Sequence, residues 1–124
     1  MYICLTADNS KKALLVNFCI AYKGILKKHQ LLATEMTGKH VEQATGLPVI
    51  KFLPGGMGGG HQLTNEIMNG DIGLMICFHG SAYTSGFEDD YEEIARLCVL
   101  YNVPLATNIA TAECLIQCLM RGDF

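Results

Sequence analysis

A three-layer α/β/α sandwich on a mostly parallel five-stranded sheet is the fold this sequence predicts, and three observations predict it. Short apolar runs alternate along the chain with longer segments of helical periodicity. Five glycines, in Pro54-Gly55-Gly56-Met57-Gly58-Gly59-Gly60, stand where a strand hands over to a helix. Half of the 124 residues are hydrophobic, enough for one domain with a sizeable core, so residues 1–124 are read as a single domain.

The elements follow in order. Ile3–Ala7 is an apolar run of strand length, and Lys11–Lys28 places Leu14, Leu15, Phe18, Cys19, Tyr22, Ile25 and Leu26 near a helical period. Leu31–Thr34 is a second short strand. Gly38–Thr45 reads as a short helix stopped by Gly46 and Pro48. Val49–Leu53 is the third strand, Gln62–Asn69 a helix closed by Gly70, and Ile72–Phe78 the fourth strand. Asp89–Tyr101 is a helix with acidic residues in its first turn, where they suit the macrodipole. Pro104–Thr107 is the fifth strand and Thr111–Met120 the last helix. Right-handed crossovers between such strands cover both faces of the sheet.

Composition narrows the function classes. The formal net charge of −3 comes without a basic face, which argues against a nucleic-acid polymer as partner. No apolar run reaches the roughly 18 residues a membrane span needs, and the start reads directly as a strand, so a cytoplasmic protein is expected. Six cysteines, Cys4, Cys19, Cys77, Cys98, Cys114 and Cys118, form no CxxC pair and mostly sit in apolar patterns. They read as reduced, buried thiols. Cys114 and Cys118 are one helical turn apart but lack the further ligands of a zinc site, and no cofactor or metal is expected.

In an open α/β sheet ligands gather beyond the carboxyl ends of the strands. Four segments fall there: Asp8-Asn9-Ser10-Lys11-Lys12, Thr34-Glu35-Met36-Thr37-Gly38, the glycine run with His61, and His79-Gly80-Ser81-Ala82-Tyr83. Each residue has a bland reading as well. Thr34 and Thr37 suit helix capping, Lys12 a solvated helix face, and a glycine run a surface turn. Together they supply what a phosphate needs: bare N–H groups, hydroxyls and one cation.

These segments resemble the methylglyoxal synthase family. The resemblance lies in Ala33-Thr34-x-x-Thr37-Gly38, Ala44-Thr45-Gly46, Gly55-x-x-Gly58-Gly59, Ile94-x-Arg96-Leu97 and Val103-Pro104-Leu105-Ala106-Thr107-Asn108 with Thr111-Ala112. It implies a homohexamer of compact α/β/α domains that removes phosphate from dihydroxyacetone phosphate. It also implies that the substrate phosphate is held at Lys12, Thr34 to Thr37 and Pro54-Gly55. The family's catalytic aspartate falls on Gly60, a second acidic residue on Gly80, and two histidines on Asp8 and Phe87. Asp8 and His61 remain as candidate bases.

Two readings follow. In the first, loss of the carboxylates leaves a non-catalytic binder of a nucleotide or cyclic nucleotide-type signal, acting as a sponge, a role that would suit a viral protein. His79, Tyr83 and Phe87 would then stack on the base, unless they are ordinary loop packing. The alternative is a methylglyoxal synthase with a relocated base.

Overall fold

The computed structural model describes residues 1–52, 59–79 and 91–123. Five parallel strands form its sheet in the order β3-β2-β1-β4-β5: β1 (Tyr2–Ala7), β2 (Gln30–Thr34), β3 (Val49–Phe52), β4 (Ile72–Phe78) and β5 (Leu105–Ala106). The predicted sandwich and its parallel sheet are present. β1 lies at the centre, paired with β2 from Tyr2↔Gln30 to Leu5↔Ala33 and with β4 as far as Ala7↔Phe78.

The pleat sorts the core into two layers. Ile3, Leu5 and Ala7 of β1 and Leu74, Ile76 and Phe78 of β4 face one side. There they meet α1 (Lys12–Ala21), α2 (Lys23–Leu26), α3 (Glu35–Thr45) and α6 (Ile109–Arg121) through Leu15, Phe18, Leu26, Val41 and Ile116. Cys4, Met75 and Cys77 face the other side, against Leu63 and Ile67 of α4 (Gly59–Met68) and Ile94, Leu97 and Cys98 of α5 (Tyr91–Leu100). A strand buried on both faces must be apolar at every position, which is why β4 reads as a continuous run rather than an alternation.

Several boundaries differ from expectation, each for a local reason. The long helix expected over Lys11–Lys28 is a 3-10 turn (Asn9–Lys11) followed by α1 and α2, broken at Tyr22, whose backbone leaves the helical region at φ −110°, ψ 23°. Tyr22 instead sets its ring 4.9 Å from Phe18 and donates its hydroxyl to Glu113 Oε2 at 2.5 Å. α3 starts three residues early, at Glu35 rather than Gly38, and α4 starts at Gly59 rather than Gln62. α6 runs from Ile109 because Asn108 caps it, Oδ1 accepting from the Thr111 N–H at 2.8 Å. The cysteines divide as well: Cys4, Cys19, Cys77 and Cys98 are buried as expected, while Cys114 is exposed and Cys118 partly so, because their face of α6 lies away from the sheet.

Gly38 explains how α3 reaches its strand. A Cβ there would stand 2.6 Å from Lys51 Cγ and 3.3 Å from Val49 Cγ1. The Lys51 stem has little freedom to yield, since its Nζ donates to Glu42 Oε1 at 2.6 Å and to the Val49 carbonyl at 3.2 Å. Gly24 is the contrast, with nothing within 4 Å of its missing Cβ. Alanine gains about 1 kcal/mol of helix propensity over glycine, but overpacking costs about 1–3 kcal/mol. Gly24→Ala should therefore hold or raise the melting temperature and Gly38→Ala should lower it. Equal melting temperatures for the two variants would mean that α3 and β3 are not in close contact.

Candidate functional site

The chain runs from β1 outward through β2 to β3, then crosses back to β4 on the far side of β1. That reversal opens a crevice beyond the carboxyl ends of β1 and β4, the place where doubly wound sheets take their ligands. Asp8 and His79 are the residues that leave those two strand ends. The Asp8 N–H donates to the Phe78 carbonyl at 3.1 Å, extending the ladder by one bond.

Asp8 is fixed by its own turn. Its Oδ1 accepts from the Lys11 N–H at 3.1 Å and from Ser10 Oγ at 2.6 Å, capping the 3-10 turn that leads into α1. Lys12, the first residue of α1, donates its Nζ to Asn9 Oδ1 at 2.8 Å. A carboxylate and an ammonium are thereby placed at successive ends of one turn. Asn9 and Ser10, named in the sequence with this segment, serve here as the acceptor for Lys12 and a donor to Asp8.

The threonine segment is the end of β2 and the first turn of α3, not a loop. Thr34 is 2 % exposed and holds the N-cap position at φ −65°, ψ 162°, yet its hydroxyl does not cap the helix. Thr37 is 1 % exposed and its Oγ1 has no hydrogen-bond partner. The Thr37 hydroxyl is thus a buried polar group without a partner, which costs about 1–3 kcal/mol. In the same turn Glu35 pairs with Lys39 at 2.8 Å and Met36 is exposed. Gly38 lies against the Lys51 stem.

On the fourth strand, Phe78 is buried with its ring edge on Phe18 at 6.2 Å. His79 follows, its ring 4.7 Å from that of Tyr91 at the start of α5 and its Nε2 buried without a partner. Tyr91, the first residue of α5, carries no local sequence signal for this contact. Gly60 and His61 belong to the first turn of α4, where His61 is exposed and its carbonyl accepts from Thr64 Oγ1 at 3.1 Å. The predicted positions Pro54, Gly55, Gly80, Tyr83 and Phe87 lie outside the described residues.

Pleat parity brings part of this set together. Counting outward from Cys4, Leu32 and Cys77, which face α4 and α5, Asp8, Thr34 and His79 fall on that same side of the sheet edge. The first turns of α3 and α4 open at the same edge, presenting backbone N–H groups that suit an anion. Among the described residues no group of three histidine, cysteine or acidic side chains could hold a metal ion. Burial pushes the Cys19 thiol up to about 12 and the Cys98 thiol up to about 11, so neither is an activated nucleophile. Among the described residues no helix is long and apolar enough to cross a membrane.

Comparison with known proteins places this edge in context. Residues 15–107 match the MGS-like domain family. A methylglyoxal synthase of Caldicellulosiruptor saccharolyticus is 48 % identical over 99 % of this chain and 87 % of its own length. One from Lysinibacillus sphaericus is 45 % identical over 98 % of this chain and 91 % of its own. The crystal structure of methylglyoxal synthase from Elizabethkingia anophelis superposes with a TM-score of 0.87 at 35 % identity, covering 93 % of this chain and 76 % of that one.

Thr37 offers a direct test of the edge. Thr37→Val removes the orphaned hydroxyl and should leave the ligand-free protein as stable or more so, while weakening inorganic phosphate by about 0.5–1.5 kcal/mol in calorimetry. A destabilised Thr37→Val variant with unchanged phosphate affinity would make the hydroxyl a structural group.

Proposed function

The chain belongs to the MGS-like domain family, and we propose that it is a phosphate-eliminating lyase of the methylglyoxal synthase type, acting on dihydroxyacetone phosphate with a relocated base. The observation that carries this reading is near-full-length identity of 42–48 % to proteins named methylglyoxal synthase. In it, Lys12, Thr37 and the first turn of α3 hold the phosphate. Asp8 takes the proton from the hydroxymethyl carbon, a role that Gly60 at the family's aspartate position cannot fill. Asp8 is favoured over His61 because it leaves the central strand at the crevice and is oriented by two hydrogen bonds, whereas His61 is exposed on α4. The electron pair of the broken C–H bond forms the enediol, and the C–O bond to phosphate then breaks with its pair on the leaving group.

A second reading is favoured by the glycine at position 60. A binding protein for a nucleotide or cyclic nucleotide-type signal would gain room there and lose a carboxylate that repels anions. The two readings part on one assay. Incubation with dihydroxyacetone phosphate should release methylglyoxal and phosphate in equal amounts, and Asp8→Asn should lower kcat by about 10²–10⁴-fold, the usual worth of a general base. No turnover together with nucleotide binding in calorimetry would replace the lyase by the binding protein.

Self-association as a homohexamer belongs to the same proposal. Val99 is 83 % and Leu100 64 % exposed at the end of α5, with Tyr101 beside them, an apolar run that subunit contact would cover. Light scattering should give an oligomer at micromolar concentration, and Leu100→Glu should reduce its mass. A monomeric unmodified protein would remove the assembly from the account.

A further inference from the structure

We propose that Cys118 and Arg121, at the end of α6, form a modification site for an α-oxoaldehyde, which joins the thiol to the guanidinium through its two carbonyl carbons. The proposal takes its reagent from the lyase reading above, since methylglyoxal is such an aldehyde and a chain that made it would meet it first. The pair stands apart from the crevice: α6 begins just beyond β5 and sets Arg121 about 18 Å along its axis from that start.

Three observations lead to this pair. The first is contact. Arg121 Nη2 donates to Cys118 Sγ at 3.7 Å, across one turn of the helix. Asp123 steadies the guanidinium, its Oδ2 accepting from Nε at 3.1 Å and lying 3.1 Å from Nη2. The second is access. The Arg121 side chain is 62 % exposed and Cys118 is partly exposed, while Ile116 and Leu119 of the same helix pack into the core. The third is contrast within the chain. Arg96, the other arginine of the sequence, gives its Nε and Nη2 to Glu93 at 3.1 and 2.6 Å, and the cysteine nearest it in sequence, Cys98, is buried. Cys114 is exposed but stands two helical turns from Arg121. Among the described residues, an accessible thiol and a guanidinium meet at Cys118 and Arg121.

The chemistry balances. A sulfur lone pair forms the S–C bond at the aldehyde carbon, and the carbonyl π pair moves onto oxygen, which takes the thiol proton. That hemithioacetal is reversible, but it holds the neighbouring ketone carbon beside the guanidinium. The linkage S–C–C–N spans about 3–4 Å, which matches the gap already present. One guanidinium nitrogen, giving up a proton, adds to the ketone carbon, and the other displaces the hemithioacetal hydroxyl as water. The hydrogen of the former aldehyde carbon leaves with the remaining hydroxyl as a second water, and its electron pair becomes the carbon–carbon double bond of an aromatic five-membered ring. Four hydrogens depart in the two waters: one from the thiol, one from the aldehyde carbon and two from the guanidinium. The positive charge stays on the ring. No oxidant or reductant is needed, because the two carbonyl carbons exchange oxidation level between themselves.

The test incubates the unmodified protein with methylglyoxal, dialyses it and maps its tryptic peptides by mass spectrometry. The expected product carries one methylglyoxal less two waters. It falls in a peptide that runs from Leu97 through Arg121 to Phe124, because trypsin no longer cuts after the modified arginine. Capture by the thiol makes the second step intramolecular, so Arg121 should be consumed about 10-fold or more faster than Arg96. Cys118→Ser should abolish the two-water product and slow Arg121 to the rate of Arg96. Equal reaction of the two arginines in the unmodified protein, or a two-water product that survives Cys118→Ser, would overturn the site. Dihydroxyacetone phosphate should leave the same mark, and Asp8→Asn should suppress it. A protein that releases no methylglyoxal from dihydroxyacetone phosphate, yet is marked when methylglyoxal is added, loses the lyase reading and keeps this site.

Discussion

The pairing of β1 with β4 is the contact on which the rest of this structure depends. It is the longest ladder in the sheet, carried from Tyr2↔Ile72 to Ala7↔Phe78 and lengthened by the Asp8 N–H on the Phe78 carbonyl. It fixes the strand order, because a chain that fills β2 and β3 on one side of β1 must cross back to reach β4. The crossing leaves a crevice at the carboxyl ends with Asp8 on one side and His79 on the other. A one-residue slip of β1 would turn Asp8 toward α1 and α6 and bury its carboxylate in the larger apolar layer.

A second tie holds α3 against β3. Glu42 Oε2 accepts from the Val49 N–H at 2.9 Å and Oε1 from Lys51 Nζ at 2.6 Å, joining the middle of the helix to β3. The Lys51 ammonium, and after it the Val49 N–H, keep the Glu42 carboxyl below the usual carboxylate range. A carboxyl with a lowered value contributes its stability above the ordinary range and loses it as pH falls through that lowered value, so this tie is intact at neutral pH. With Gly38 letting the helix lie close on the Lys51 stem, the first turn of α3 is set against the end of β2. Thr37 therefore stands buried and unpartnered without the helix end yielding.

Much of this was legible in the sequence. All five strands and the direction of the sheet follow from apolar runs separated by helical periods, and so does the place of Asp8, Thr34 and His79 at the carboxyl ends of their strands. Helix starts were less legible. Glu35, Met36 and Thr37 carry no periodic signal of their own, so the start of α3 was set at Gly38, where a glycine served packing rather than punctuation. The break at Tyr22 was hidden because Leu14 to Leu26 keep a helical period across it, while the hydroxyl contact with Glu113 joins residues far apart in the chain. The ring contact of Tyr91 with His79 is likewise one that no local pattern encodes.

The account turns on a phosphorylated ligand lying across the β1/β4 crevice with its phosphate at the start of α3. A crystal structure of the protein soaked with phosphoglycolate tests this most directly. The phosphate is expected against Thr37 Oγ1 and the first-turn N–H groups of α3, within reach of Lys12, with the carboxylate between Asp8 and His79 Nε2. A phosphate bound elsewhere, with Thr37 Oγ1 and His79 Nε2 still unpartnered, would contradict it.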